Sequence, residues 1–109
     1  MTTKTERIRA LNDALRTVGN SGRVMLTRGI LSLPKVNVDE ILNAVASFTE
    51  FDADNDPHRE HDCALLTAAG QKIMFKIDYY DPSMTCGSED PSDPGKTARV
   101  LTIMLASEY

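Results

Sequence analysis

One short stretch dictates most of what this chain can fold into. Ile73, Phe75, Ile77 and Tyr79 alternate with Met74, Lys76, Asp78 and Tyr80. A period of two is the mark of a β-strand with two different faces. One set lines a core, and the other faces solvent or a cleft. Residues 63–67 form a shorter apolar run just upstream, and the turn between the runs contains Gly70, so the pair reads as a hairpin over 63–67 and 72–80. A sheet with one apolar face needs a second layer to cover it.

Helices supply that layer. Thr3 stands three residues before Glu6, the spacing of a capping box. Ile8, Leu11, Leu15 and Val18 follow at steps of three and four, which gives an amphipathic helix over 4–17. The turn at 19–22 ends it, and 23–27 reads as a strand that Gly29 weakens and Leu33-Pro34 ends. A second helix is expected with Asn37 as N-cap, Glu40 three residues on, and Ile41, Leu42, Val45 and Phe48 as its apolar face. After a proline-rich loop at 81–94, Asp93 and Pro94 open a last helix over 97–109, with Val100, Leu101, Met104 and Leu105 on one side. The β-branched residues there leave a strand as the alternative. The expected order is α-β-α-β-β-α, an α+β fold of one two-layer domain over 1–109. Its sheet is expected to be antiparallel, with three or four strands and helices on one face.

Composition narrows the class. A length of 109 residues fits one domain, and 41% hydrophobic with 26% charged residues excludes a disordered chain. No apolar run approaches the ~20 residues of a membrane span, and the first residues lack the apolar stretch of an export signal. Cys63 and Cys86 then read as reduced thiols in a cytoplasmic protein. The net charge of −4 is unevenly spread: residues 1–36 carry +5, residues 37–62 carry −7, and residues 63–109 carry −2. The acidic block repels phosphate backbones, so direct nucleic-acid binding through it is not expected. Binding through Arg7, Arg9 and Arg16 of the first helix is a weaker option.

Residues 52–62, D-A-D-N-D-P-H-R-E-H-D, concentrate the chemistry and hold both histidines. Asp52, Asp54 and Asp56 imitate the start of an EF-hand loop, but Pro57 and Cys63 stand where Gly and Glu are required. His58 and His61 are three apart, whereas a zincin helix needs four with Glu second. A metal site from His58, His61 and Asp62, joined by Asp78, is chemically possible as the core of a small hydrolase. The competing reading has His61 and Asp62 anchoring the loop to the hairpin. Cys86 has no histidine patterned with it. Gly95-Lys96-Thr97 lacks the upstream glycine of a phosphate-binding loop, and a helix start fits it better. No cofactor is expected. Lys76 to Pro82, with two tyrosines and two aspartates at a strand end, has the makings of a recognition surface.

Three blocks together resemble a family of small bacterial proteins of unknown function: N-D-P-H with E-H-D at 55–62, K-I-D-Y-Y-D-P at 76–82, and G-S-E-D-P through R-V-L-T-I-M-L-A to E-Y at 87–109. Members often carry an aromatic residue after the His-Asp pair, where this chain has Cys63. The resemblance implies no activity and no catalytic residues. It implies a setting on plasmids and mobile elements, where small acidic proteins often serve as anti-defence factors that block a host protein. The leading expectation is therefore a protein-binding module, an anti-CRISPR-like inhibitor, that meets the basic surface of a nucleic-acid-handling complex. Asp52, Asp54, Asp56, Glu60, Asp78, Tyr80, Glu89 and Asp90 are its expected contacts.

Overall fold

A computed structural model describes residues 2–19 and 22–109. Asn20 and Ser21, in the turn expected at 19–22, lie outside the described residues. Helix α1 spans Lys4–Val18 and opens as the sequence dictates. The Glu6 amide donates to the Thr3 hydroxyl, which in turn donates to the Glu6 carboxylate. Gly19 closes the helix at φ 76°, a left-handed cap that glycine takes without steric cost.

Strand β1 is Arg23–Leu26, and Gly29 does not extend it. The chain instead makes one helical turn, α2, over Arg28–Leu31. Its start is held by Glu108, whose carboxylate accepts from the Gly29 amide (3.0 Å) and the Thr27 hydroxyl (2.6 Å). Helix α3 spans Lys35–Ser47 with Pro34, not Asn37, at its N-cap. Proline's fixed φ suits an extended residue at that point, and the Asn37 amide donates to the Pro34 carbonyl inside the first turn. Glu40 caps nothing on its own helix and accepts from the Ala69 amide in the hairpin turn.

The hairpin forms as expected, with β2 at Cys63–Ala68 and β3 at Gln71–Tyr80. The C-terminal element does not. Residues Ala98–Leu105 form strand β4, and Asp93 caps only a single 3-10 turn at Pro94–Lys96. Val100, Leu101 and Met104 fit a helical stripe, but they equally fit a strand buried on both faces. β4 is such a strand, since Val100, Leu101, Ile103 and Met104 are all buried. It lies second in a four-stranded sheet of order β1-β4-β3-β2. It pairs antiparallel with β3 and parallel with β1, so the sheet is mixed rather than antiparallel.

One face of the sheet carries the core. Phe75 and Ile77 of β3 with Leu101 and Ile103 of β4 pack against Leu15, Ile30, Ile41 and Val45 from the helices. At ~25 cal/mol per Å² of apolar surface removed from water, this cluster is the main stabilising term. On the other face stand Met74, Lys76, Asp78 and Tyr80, as the alternation requires. The C-terminal turn Ala106–Glu108 folds back toward β3. Among the described residues no helix is long and apolar enough to cross a membrane.

Candidate functional site

The irregular segment 48–62 joins α3 to β2, and five polar residues of α1 and β3 tie it down. Arg9 Nε donates to the Arg59 carbonyl (2.7 Å). Asn12 Nδ2 donates to the Glu60 carbonyl (2.9 Å) and to the Tyr79 hydroxyl (2.8 Å). That hydroxyl donates onward to Glu60 Oε1 (2.7 Å). Burial, and then the Glu60 carboxylate, push the Tyr79 phenol far above its usual range. It therefore stays protonated, as its donor role requires.

His61 sits at the junction. Its ring stacks on Phe51 with centroids 3.9 Å apart. Nδ1 lies 2.9 Å from Asp13 Oδ1, and Nε2 lies 3.8 Å from Asp56 Oδ2. Asp56 is buried, and its other oxygen accepts from the amides of Glu60 and His61. Those bonds hold a turn in which Arg59 and His61 both sit at positive φ, 59° and 56°. Each such conformation costs a non-glycine residue roughly 1 kcal/mol, and strain of this kind gathers at functional sites. Arg9, Asp52, Asp56, Arg59 and His61 border an open cleft of about 510 Å³.

Behind the loop lie two buried arginines. Arg16 Nη1 donates to the carbonyls of Val45, Ala46 and Phe48, closing the C-terminal end of α3. Its Nη2 meets Asp13 (3.1 Å). Arg99 on β4 donates through Nε to Asn12 Oδ1 (2.6 Å) and through Nη2 to the Pro91 carbonyl, under the ring of Tyr79. Burial lowers its pKa, and the neighbouring Tyr79 and Glu60 oppose that shift. Arg16 Nε and Arg99 Nη1 have no hydrogen-bond partner among the described residues.

The expected site residues scatter. Asp52 and Asp54 are exposed, and Asp52 Oδ1 accepts from the amides of Asp54 and Asn55. Asp56 is not a contact surface: its carboxylate is buried and spent on the loop's own backbone. Glu60 is half-buried and committed to Tyr79. Asp78 and Tyr80 lie on the opposite face of β3 from Tyr79, and Asp78 pairs with Lys76 (2.6 Å). Glu89 is exposed. Asp90 bonds Ser92 and reaches Lys4 (3.7 Å), and the Ser92 hydroxyl chiefly holds its pKa low.

The metal grouping does not assemble. His58 is exposed and lies outside the cleft, and Asp78 faces away across the sheet. Asp62 is half-buried, and burial raises its pKa. Among the described residues no three His, Cys, Asp or Glu side chains are placed to hold a metal ion. Cys63 and Cys86 are both free. The basic-helix option also loses ground, because Arg16 is buried and Arg9 is tied to Arg59.

Asn12, Asp13, Phe51 and Arg99 were not legible as a site, and Arg16 was read only as a surface cation. One signal existed: Asn12 and Arg16 fall in phase with Ile8 and Leu15, the other buried residues of α1. A polar residue on an apolar stripe implies a buried partner.

Fold and site together define a small α+β protein with a mixed four-stranded sheet and a polar loop pinned to α1 and β3. Residues 26–108 match the family model DUF3768, described as a protein of unknown function, and the chain belongs to that family. No curated protein and no solved structure matches it.

Proposed function

We propose that this chain is a non-enzymatic protein-binding module whose recognition element is the loop at 48–62. The observation that carries this reading is the loop's tethering. A segment without regular structure is fixed by Arg9, Asn12, Asp13 and Asp56, and two strained residues are held at its turn. A loop ordered before it meets a partner loses little conformational entropy on binding. Its exposed residues are polarised, with Glu50, Asp52 and Asp54 on one stretch and Arg59 further along. The matching surface is a basic patch with an acidic neighbour. In the bacterial mobile-element setting that the family resemblance implies, the partner is a cytoplasmic nucleic-acid-handling complex, and the chain acts as its inhibitor.

Exposed charges at a rim act mostly on the encounter rate and on partner choice. Immobilised protein should capture its partner from a bacterial lysate. The variant D52K/D54K should lower the affinity by roughly tenfold at low salt and flatten its salt dependence. Capture that is equal for both proteins at every salt concentration would remove the loop from the interface.

A further inference from the structure

The recognition loop leaves one other surface unaccounted for, the free edge of β2. The Ile77 amide donates to the Asp62 carbonyl (2.7 Å), so Asp62 and Ile77 form a hydrogen-bonded antiparallel pair. Such pairs alternate along the ladder. With Ala64 opposite Phe75 and Leu66 opposite Ile73, the even-numbered residues of β2 turn their backbone groups to β3. Cys63, Leu65 and Thr67 turn theirs outward. The next outward amide, Ala69, is already taken by Glu40.

Edge strands are normally protected by charge, proline, a bulge or shortness. The opposite edge, β1, is only four residues long and carries Arg23. β2 reads C-A-L-L-T-A over six residues and has no charge, proline or glycine. Leu65 is 65% exposed on it. Open clefts of about 310 and 350 Å³ adjoin the strand, one bordered by Phe48 and Glu50, the other by Lys72 and Ala106. Leu65, Leu66 and Thr67 line both. One added strand would fill both clefts at once.

We infer that β2 pairs with β2 of a second copy, antiparallel across a two-fold axis at Leu65. The outward strip is symmetric about that residue, so the axis sets Leu65 against its own copy and Cys63 against the partner subunit's Thr67. Every outward amide and carbonyl of the three residues then finds a mate. An uncharged strip brings no like charges together and offers a charged partner nothing to hold. The interface is isologous and joins two four-stranded sheets into one of eight. Its modest size makes the dimer weak and concentration-dependent.

Sedimentation across a concentration series up to millimolar protein tests this. The wild type should shift from monomer to dimer. Leu65→Lys and Thr67→Pro should each stay monomeric at concentrations where the wild type is mostly dimer. Both should fold, since Leu65 is exposed and the Thr67 amide makes no bond to β3; circular dichroism and a thermal melt check this. Paired Cα atoms about 5.5 Å apart also fall within disulfide range. Leu65→Cys in a Cys63→Ser, Cys86→Ser background should therefore cross-link to a covalent dimer under oxidised glutathione. A wild type that stays monomeric throughout, or a dimer that both edge variants leave intact, would overturn the inference. D52K/D54K should leave the dimer intact, because neither residue borders the clefts beside β2, so loss of one reading does not entail loss of the other.

Discussion

Replacing Arg16 by Met tests the internal scaffold directly. Methionine keeps the apolar stem and deletes the guanidinium, which lies over Phe51 and caps α3. Nη1 has two hydrogens for three carbonyls, at 2.8 Å to Val45, 3.2 Å to Ala46 and 2.8 Å to Phe48. They count as two full bonds from a charged donor, worth roughly 1.5–3 kcal/mol each. Against that, Met relieves the buried Nε of its unmet demand, a gain of about 1–3 kcal/mol. The net expectation is a loss of about 2–3 kcal/mol, a large share of the 5–15 kcal/mol typical of a domain. With a urea slope of ~1.5 kcal/mol per M for a chain of this size, the midpoint should fall by about 1.5 M. Amide exchange should quicken first at the end of α3, where the carbonyls lose their donor. A midpoint shift below about 0.3 M with an unchanged slope would refute the reasoning, since it would mean that solvent caps α3 as well as Arg16 does.

Further outcomes follow from the same network. Gly22→Ala should destabilise by about 2 kcal/mol or more, seen as a lower thermal midpoint, because a Cβ there would stand 2.4 Å from the backbone carbonyl oxygen of Arg99, which cannot swing aside. Burial raises the Asp62 pKa, so the fold favours its protonated form. That favourable contribution is complete below the unfolded-state value near 4 and is lost as pH rises through the folded value. Asp62→Asn should thus raise the melting temperature at neutral pH, by less than about 1 kcal/mol equivalent, and leave it unchanged near pH 3. Tyr79 is raised as well, so its neutral form stabilises the fold fully below the unfolded value near 10. Above that pH the unfolded chain ionises first and stability should fall by up to ~1.4 kcal/mol per pH unit. Tyr79→Phe should cost about 1 kcal/mol at neutral pH, and its alkaline unfolding limb should be shallower.

The elements that announced themselves did so through periodicity or capping. The β3 alternation and the Thr3 cap needed only local chemistry, and both stand as read, although Glu6 answers the Thr3 hydroxyl and not its amide. β4 misled because burial on both faces erases the period that separates strand from helix. Its pairing with β1 is a long-range parallel contact that leaves no local trace. The α3 start misled differently, because Pro34 fixes the backbone where Asn37 would have capped with its side chain. At the loop, His61 was expected to tie the segment to the hairpin; its ring instead meets Asp13 of α1, a contact across 48 positions that no local pattern announces. The acidic block looked uniform in sequence. In three dimensions it divides into carboxylates that hold the loop, Asp56 and Glu60, and carboxylates that face solvent, Asp52 and Asp54.

The bond from Arg99 to Asn12 bears on what counts as one heritable piece. The family match begins at residue 26, yet the buried cation near the start of β4 meets no carboxylate in direct contact among the described residues and leans on an amide from α1. Arg16, also on α1, finishes α3. A fragment cut at the start of the match would strand a buried cation and open the end of a helix, besides discarding most of β1. The shared segment is thus a unit of ancestry without being a unit of folding. In this chain the matched segment borrows from α1 both the group that holds Arg99 and the group that ends α3.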